Sequence, residues 1–361
     1  MKVTIVAGAR PNFMKIAPLC RAMDVAANGG KNITYRLVYT GPKDDPALDA
    51  SLFSDLAINR PDACLGVHAG TQSEVAAAIM LAFEKELDAH PAQVIIVVDD
   101  LASTMACSVV AKKRGLKVAH VIAGTRSFDM NMPREVNRTI VDAISDYLFT
   151  AGMVANRNLN QEGMIPEYIH YVGNILIDTI RSNHRRFVKP MWFDSMGLHK
   201  GGYLLLTLNR HDITDNLPLL RDIVSTVVSH AGNKPVIAPL HSYVQDALSQ
   251  TGITAPNLHI MPTQSYLHFG YLTENAKGII TDSGNIAEEA TFLDVPCISL
   301  NTYAEHPETW RIGTNVLVGE DTTALASAID KLMGGEWKHA TLPDRWDGRT
   351  AERIVQVLLK D

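Results

Sequence analysis

Short apolar runs of strand length alternate along the chain with longer segments whose apolar positions recur at helical spacing. The runs predict strands over Val3–Ala7, Tyr35–Tyr39, Val94–Val98, Lys117–Val121 and Tyr147–Phe149. A second series follows over Tyr203–Leu208, Pro235–Pro239, Leu258–Met261, Gly278–Thr281 and Cys297–Leu300. Helical periodicity marks Asn12–Ala26, Ser73–His90, Thr104–Arg114, Asn137–Ser145 and Leu217–His230. Such alternation predicts an α/β fold of parallel sheets covered by helices on both faces. The unbroken apolar run in QVIIVVDD agrees with a strand buried on both sides.

The alternation breaks between 177 and 198, where the charged stretch DTIRSNHRRFVKP leads through Pro190 and Gly197 into GGYLLLTLN. A boundary there divides the chain into two doubly wound, Rossmann-like domains, 1–180 and 181–349. The helix-like segment 350–361 is expected to pack back on the first. A length of 361 residues agrees, since single cores stop growing near roughly 250 to 300. Two such domains predict a ligand cleft between them, at the carboxyl ends of the strands.

Composition then narrows the partners. With 33 basic and 39 acidic side chains the net charge is -6, which gives no electrostatic case for nucleic acid or an anionic membrane. No apolar run approaches the roughly 18 residues of a membrane span. MKVTIVAGARP enters a strand-turn pattern at once, unlike a signal peptide. A soluble, cytoplasmic protein is expected. Cys20, Cys64, Cys107 and Cys297 are scattered, with no CxxC pair and no metal-like spacing, so reduced thiols and no metal site are expected.

Polar groups collect at the predicted strand ends. In VTIVAGARPNFMKIAPL a strand ends at Gly8 and a helix starts near Pro11, so Arg10 and Lys15 can hold a phosphate beside the helix N-terminus. They can equally be solvated residues of an ordinary strand-turn-helix. In GIITDSGNIAEEATFL, Ser283, Gly284 and Asn285 let a diphosphate approach backbone N–H groups, and Glu289 can accept from ribose hydroxyls. The plain alternative is a capped helix with acidic first turns. VVDDLAST puts Asp99 and Asp100 at a strand lip, where adjacent carboxylates are costly unless paired or used. Otherwise one of them, with Ser103 and Thr104, caps the next helix. A further loop carries Arg126 and Asp129 before a helix with Glu135 and Arg138. Asn209, Arg210 and His211 end one strand of the second series and His241 another.

Taken together these segments resemble the non-hydrolysing UDP-N-acetylglucosamine 2-epimerase family over almost the whole chain. GARPNFMKIAPL resembles GTRPEAIKMAPV, and VVDDLASTMACSVVAKKRGLKVAHVIAGTRSFDMNMPREVNR resembles VVGDVNSTLAA…AHVEAGLRSFDxxMPEEINR. TDSGNIAEEATFLDVPC and AEHPETWRIGTNVLVG resemble TDSGGIQEEAPxLGVPC and TERPExxxxGTNxLVG. The resemblance implies a GT-B architecture, a UDP-sugar in the interdomain cleft, a homodimer, and work without NAD or an essential metal. It implies chemistry in which the C2 proton is removed, UDP leaves to give a glycal, and UDP re-adds with the proton on the opposite face. By position it makes Asp100 the acid/base aspartate and, with Glu135, Arg10 and Lys15, the catalytic set. Arg138, Asn209, Arg210, His241, Ser283, Gly284, Asn285 and Glu289 become the substrate-binding set.

The departures are specific. Ile122 stands for the glutamate of HVEAG, Arg134 for the first glutamate of MPEE, and Asn209 for a histidine. Asn12 replaces a glutamate, Asp99 a glycine, Asn301 an arginine, and His306 the arginine of TERPE. YTGPKDD replaces the TGQH segment that helps bacterial relatives hold an activating second UDP-sugar, so no such activation is expected. Each lost acid or base typically costs about 10²- to 10⁴-fold. Three readings therefore stand: a divergent 2-epimerase of a UDP-N-acetylhexosamine, a hydrolase or GT-B transferase using the same cleft, and a non-catalytic UDP-sugar-binding homologue.

Overall fold

The computed structural model describes residues 1–68 and 70–360; Asp361, the last residue of the expected C-terminal segment, lies outside them. The chain divides into two compact units, Met1–Ser182 with the segment from Asp344 onward, and Asn183–Pro343.

The first unit is built on β1 (Lys2–Ala7), β2 (Thr34–Tyr39), β3 (Ala63–Cys64), β4 (Val94–Val98), β5 (Lys117–Val121), β6 (Tyr147–Thr150) and β7 (Ile169–Tyr171). The second carries β8 (Leu204–Thr207), β9 (Val236–Leu240), β10 (Leu258–Pro262), β11 (Gly278–Thr281), β12 (Cys297–Ser299) and β13 (Asn315–Leu317). Strand orders are β3-β2-β1-β4-β5-β6-β7 and β10-β9-β8-β11-β12-β13. Pairing between β1 and β4, as between β8 and β11, is parallel, like every other pair. Each sheet therefore reverses its winding direction at one place, next to β1 and β4 or next to β8 and β11. Loops leaving the carboxyl ends there diverge and open a crevice.

Burial explains why the central strands were legible. All five residues of β4 are buried, as are all four of β8 and of β11. Alternate residues of one strand feed opposite faces. Leu204, Leu206 and Ile280 pack with the helices Leu217–His230 and Thr322–Gly334, whereas Leu205 and Ile279 pack with Phe193 and Leu272. The strands that periodicity did not predict, β3, β7 and β13, are two or three residues long and lie at sheet edges. With one neighbour and partial exposure, they need no apolar run.

Two local devices fix the crevice of the first unit. A Cβ at Gly8 would lie 1.8 Å from the Ser103 hydroxyl, so only glycine lets the end of β1 approach the helix Ala102–Lys113 this closely. That helix has no side-chain cap, and Thr104 instead donates to the Val98 carbonyl at 2.9 Å. The helix Thr350–Leu358 packs on Arg10–Asn28, and its first amides, Thr350 and Ala351, donate to Asp178 at 3.0 and 2.8 Å. Among the described residues no helix is long and apolar enough to cross a membrane.

Candidate functional site

At the first switch point the strand ends are held by an interlocking set of polar side chains. Asn12, in the first turn of the helix Arg10–Asn28, accepts from the amides of Gly8 and Ala9 at 2.9 and 3.1 Å. Its amide nitrogen donates to Asp99 at 2.7 Å, and the buried Lys15 ammonium reaches the other Asp99 oxygen at 2.6 Å. Asp99 sits at φ 62, a left-handed conformation that aspartate tolerates better than most residues. Ile122, the residue after β5, has φ 73, where a β-branched side chain is strained. Arg10 is paired with Asp49 and also donates to the Ala47 carbonyl at 3.3 Å. Both members of the expected basic pair are thus engaged by carboxylates of this chain.

Asp100 lies beside this set, 6% exposed, on the wall of a cavity of about 660 Å³ within the first unit. Arg138, from the helix Pro133–Ile144, donates to one Asp100 oxygen at 2.5 Å, while Arg134, one turn earlier, brings Nε to 4.0 Å from the other. Asn137 donates to the Asp100 carbonyl at 2.8 Å. Glu135, expected in the catalytic set, is buried and accepts from the Ser127 amide and hydroxyl, the Phe128 amide and Arg138, at 2.9, 2.9, 3.1 and 3.0 Å. Burial alone would raise its pKa, but these donors outweigh it and hold the carboxyl below its ordinary value. Beneath them His120 bridges Asp142 (2.6 Å) and the Asp99 carbonyl (2.9 Å), and Asp142 also meets Arg126 at 2.7 Å.

At the second switch point Asp282 ties β11 to β8: one carboxylate oxygen accepts from the amides of Asn209 and Arg210, both at 2.7 Å. Burial raises the Asp282 pKa, against the pull of those two amides. The helix Gly284–Phe292 begins with no side-chain cap at Ser283, so its first N–H groups remain suited to an anion. A Cβ on Gly284 would meet nothing nearer than Glu305 at 3.9 Å, so a ligand can reach this backbone. Asn285 follows in the first helical turn, and Glu289 lies in the same helix, buried, 3.4 Å from the Tyr266 hydroxyl. Arg210 spans to Asn301 at 2.9 Å and pairs with Glu320.

The structure adds residues that sequence reasoning passed over. The Tyr243 hydroxyl lies 2.8 Å from the Asn209 carbonyl oxygen and 2.7 Å from its side chain. Its ring stacks with those of His211 and His241, with centroids 5.3 and 5.9 Å away. Asp49 and Asn137 were likewise unmarked. The sequence signal for Asn137 was its place before Arg138; Asp49 had none.

Residues 26–359 match the family described as UDP-N-acetylglucosamine 2-epimerase. The chain is 33% identical to the UDP-N-acetylglucosamine 2-epimerase of Methanocaldococcus jannaschii, with 99% of each chain covered. A crystal structure of that organism's UDP-GlcNAc 2-epimerase in complex with UDP-GlcNAc and UDP matches with a TM-score of 0.87 and 32% identity, covering 100% of both chains. The chain is also 29% identical, with 100% of each covered, to a UDP-2,3-diacetamido-2,3-dideoxy-D-glucuronate 2-epimerase of Pseudomonas aeruginosa. The fold class is α/β, of the GT-B type.

Proposed function

The chain belongs to the UDP-N-acetylglucosamine 2-epimerase family, and from that premise we propose that it epimerises C2 of UDP-N-acetylglucosamine or a closely related UDP-N-acetylhexosamine. The observation that carries this reading is Asp100: a buried carboxylate at a sheet switch point, on a cavity wall, oriented by Arg138. Its carboxylate takes the proton from C2. The C–H electrons form the C1–C2 double bond, the C1–O bond breaks, and UDP leaves with that pair. In the return a UDP oxygen adds to C1 while C2 takes a solvent-derived proton on its opposite face, and Asp100 gives its own proton up to water.

The uncapped helix N-terminus at Ser283–Asn285 suits the diphosphate, whose charge increases as it leaves. Glu289 suits the ribose hydroxyls, and Asn209, Arg210 and His241 follow strands of the same unit, the first two tied to Asp282 through their amides. Glu135 acts through Arg138 and the 127–128 loop as a positioning residue, and Lys15 and Arg10 hold the β1 turn in register with Asp99 and Asp49. The resemblance supports a cytoplasmic homodimer that serves aminosugar biosynthesis.

Proton NMR of UDP-N-acetylglucosamine with the purified protein in D₂O tests the reading. Deuterium at C2 together with UDP-N-acetylmannosamine is expected. Asp100→Asn should slow that exchange by about 10²- to 10⁴-fold while retaining UDP binding. Release of free sugar without exchange marks a hydrolase instead, and binding alone marks a non-catalytic homologue.

A further inference from the structure

The cations gathered at the strand ends of the first unit are matched with carboxylates almost one for one. Arg10 is paired with Asp49, Lys15 with Asp99 at 2.6 Å, Arg126 with Asp142 and Glu162 at 2.7 and 2.6 Å, and Arg138 with Asp100 and Glu135 at 2.5 and 3.0 Å. Arg134 differs. Its side chain is 60% exposed, and the carboxylate oxygen it approaches, Asp100 Oδ1, is 4.0 Å from Nε, beyond hydrogen-bond reach. It lines the same cavity of about 660 Å³ as Asp100.

Local helix physics does not account for this arginine. It is the second residue of the helix Pro133–Ile144, where the positive end of the helix dipole disfavours a cation. It also stands four residues before Arg138, a spacing at which like charges repel. The Asp100 carboxylate between the two guanidiniums, 2.5 Å from Arg138 and 4.0 Å from Arg134, relieves part of this, and an anionic ligand relieves the rest. The cavity's remaining carboxylates, Asp44 and Asp45, belong to the loop after β2, and Asp45 is already taken by the Tyr39 hydroxyl and the Ala47 amide at 2.5 and 2.8 Å.

We propose that Arg134 reads a carboxylate on the sugar, so that the substrate class of this site is a UDP-linked 2-acetamido uronic acid rather than a neutral UDP-N-acetylhexosamine. The inference rests on the epimerase reading, because it takes Asp100 as the group at C2. A guanidinium is a planar fork whose two outer nitrogens meet both oxygens of a carboxylate in parallel. Arg134 Nε stands 4.0 Å from Asp100 Oδ1 on the wall of the same cavity, so the fork lies close to the carboxylate taken here as the group at C2. A neutral sugar offers hydroxyls and an amide, which need no charge.

The test uses the full chain, UDP-N-acetylglucosamine and UDP-N-acetylglucosaminuronic acid, measuring kcat/KM for C2 exchange in D₂O and calorimetric Kd for each sugar and for UDP. The wild type should favour the uronate by about 10- to 100-fold, the scale of one charged hydrogen-bonded pair. Arg134→Gln should reduce that preference at least about tenfold, and Arg134→Lys should restore part of it. A wild-type preference for the neutral sugar overturns the proposal. So does an Arg134→Gln variant that weakens both sugars and UDP equally, which assigns the guanidinium to the diphosphate. If neither sugar exchanges deuterium, the epimerase reading fails, and the Kd ratio still decides for or against a carboxylate reader.

Discussion

Glu135→Gln keeps the shape of a buried side chain and removes the charge at which four donors are aimed. The Ser127 amide and hydroxyl, the Phe128 amide and Arg138 all lie 2.9 to 3.1 Å from the two carboxylate oxygens. An amide has one oxygen, so at least one donor then faces an N–H. Losing a charged hydrogen bond costs about 1.5 to 3 kcal/mol, and an orphaned buried donor about 1 to 3 more. A destabilisation of about 3 to 5 kcal/mol follows. For a unit of about 200 residues that is a fall in Tm of roughly 10 °C. Because the folded pKa of Glu135 lies below its ordinary 4.5, its contribution is complete above that pH and fades as pH falls through the lower folded value. Urea titrations of both proteins should therefore show a constant difference from about pH 5.5 to 8 that shrinks below pH 4.5. A difference under about 0.5 kcal/mol at pH 7, or one that grows on acidification, would refute the four-donor account.

Asp178 titrates in the opposite sense. Burial raises its pKa to about 6 despite the two backbone donors, so the folded unit binds a proton that the unfolded chain does not between pH 4 and 6. Its contribution to stability should rise by roughly 3 kcal/mol as pH falls through that window, and Asp178→Asn should lack this component of the urea-midpoint profile. At the other site, Glu289→Ala should weaken UDP binding by about 1 to 3 kcal/mol in a calorimetric titration, if the carboxylate holds ribose hydroxyls. Unaltered affinity would remove it from the nucleotide pocket.

The fold class was written in the sequence because it depends on averages over many residues. A strand such as VIIVV, buried on both faces, needs an unbroken apolar run, and a helix laid over a sheet needs its stripe. These patterns survive single substitutions, and so do the strand-end motifs that carry the family resemblance. The limits of the predicted strands were legible to within a residue, whereas the helix expected from Asn137 begins at Pro133. The edge strands β3, β7 and β13 were not, since two or three half-paired residues leave no periodic trace.

What each polar group does was decided only by the tertiary structure. Periodicity puts Arg10 and Lys15 near a turn, but it does not say that Asp49 and Asp99, 39 and 84 residues away, meet them. Nor does it say that Glu135 is spent on a loop, that Tyr243 holds Asn209, or that Arg134 comes to 4.0 Å from Asp100. Hydrophobic burial adds up along the chain and can be read locally. A hydrogen bond or ion pair depends on two groups coming within about 3 Å, and only the folded chain sets which two those are.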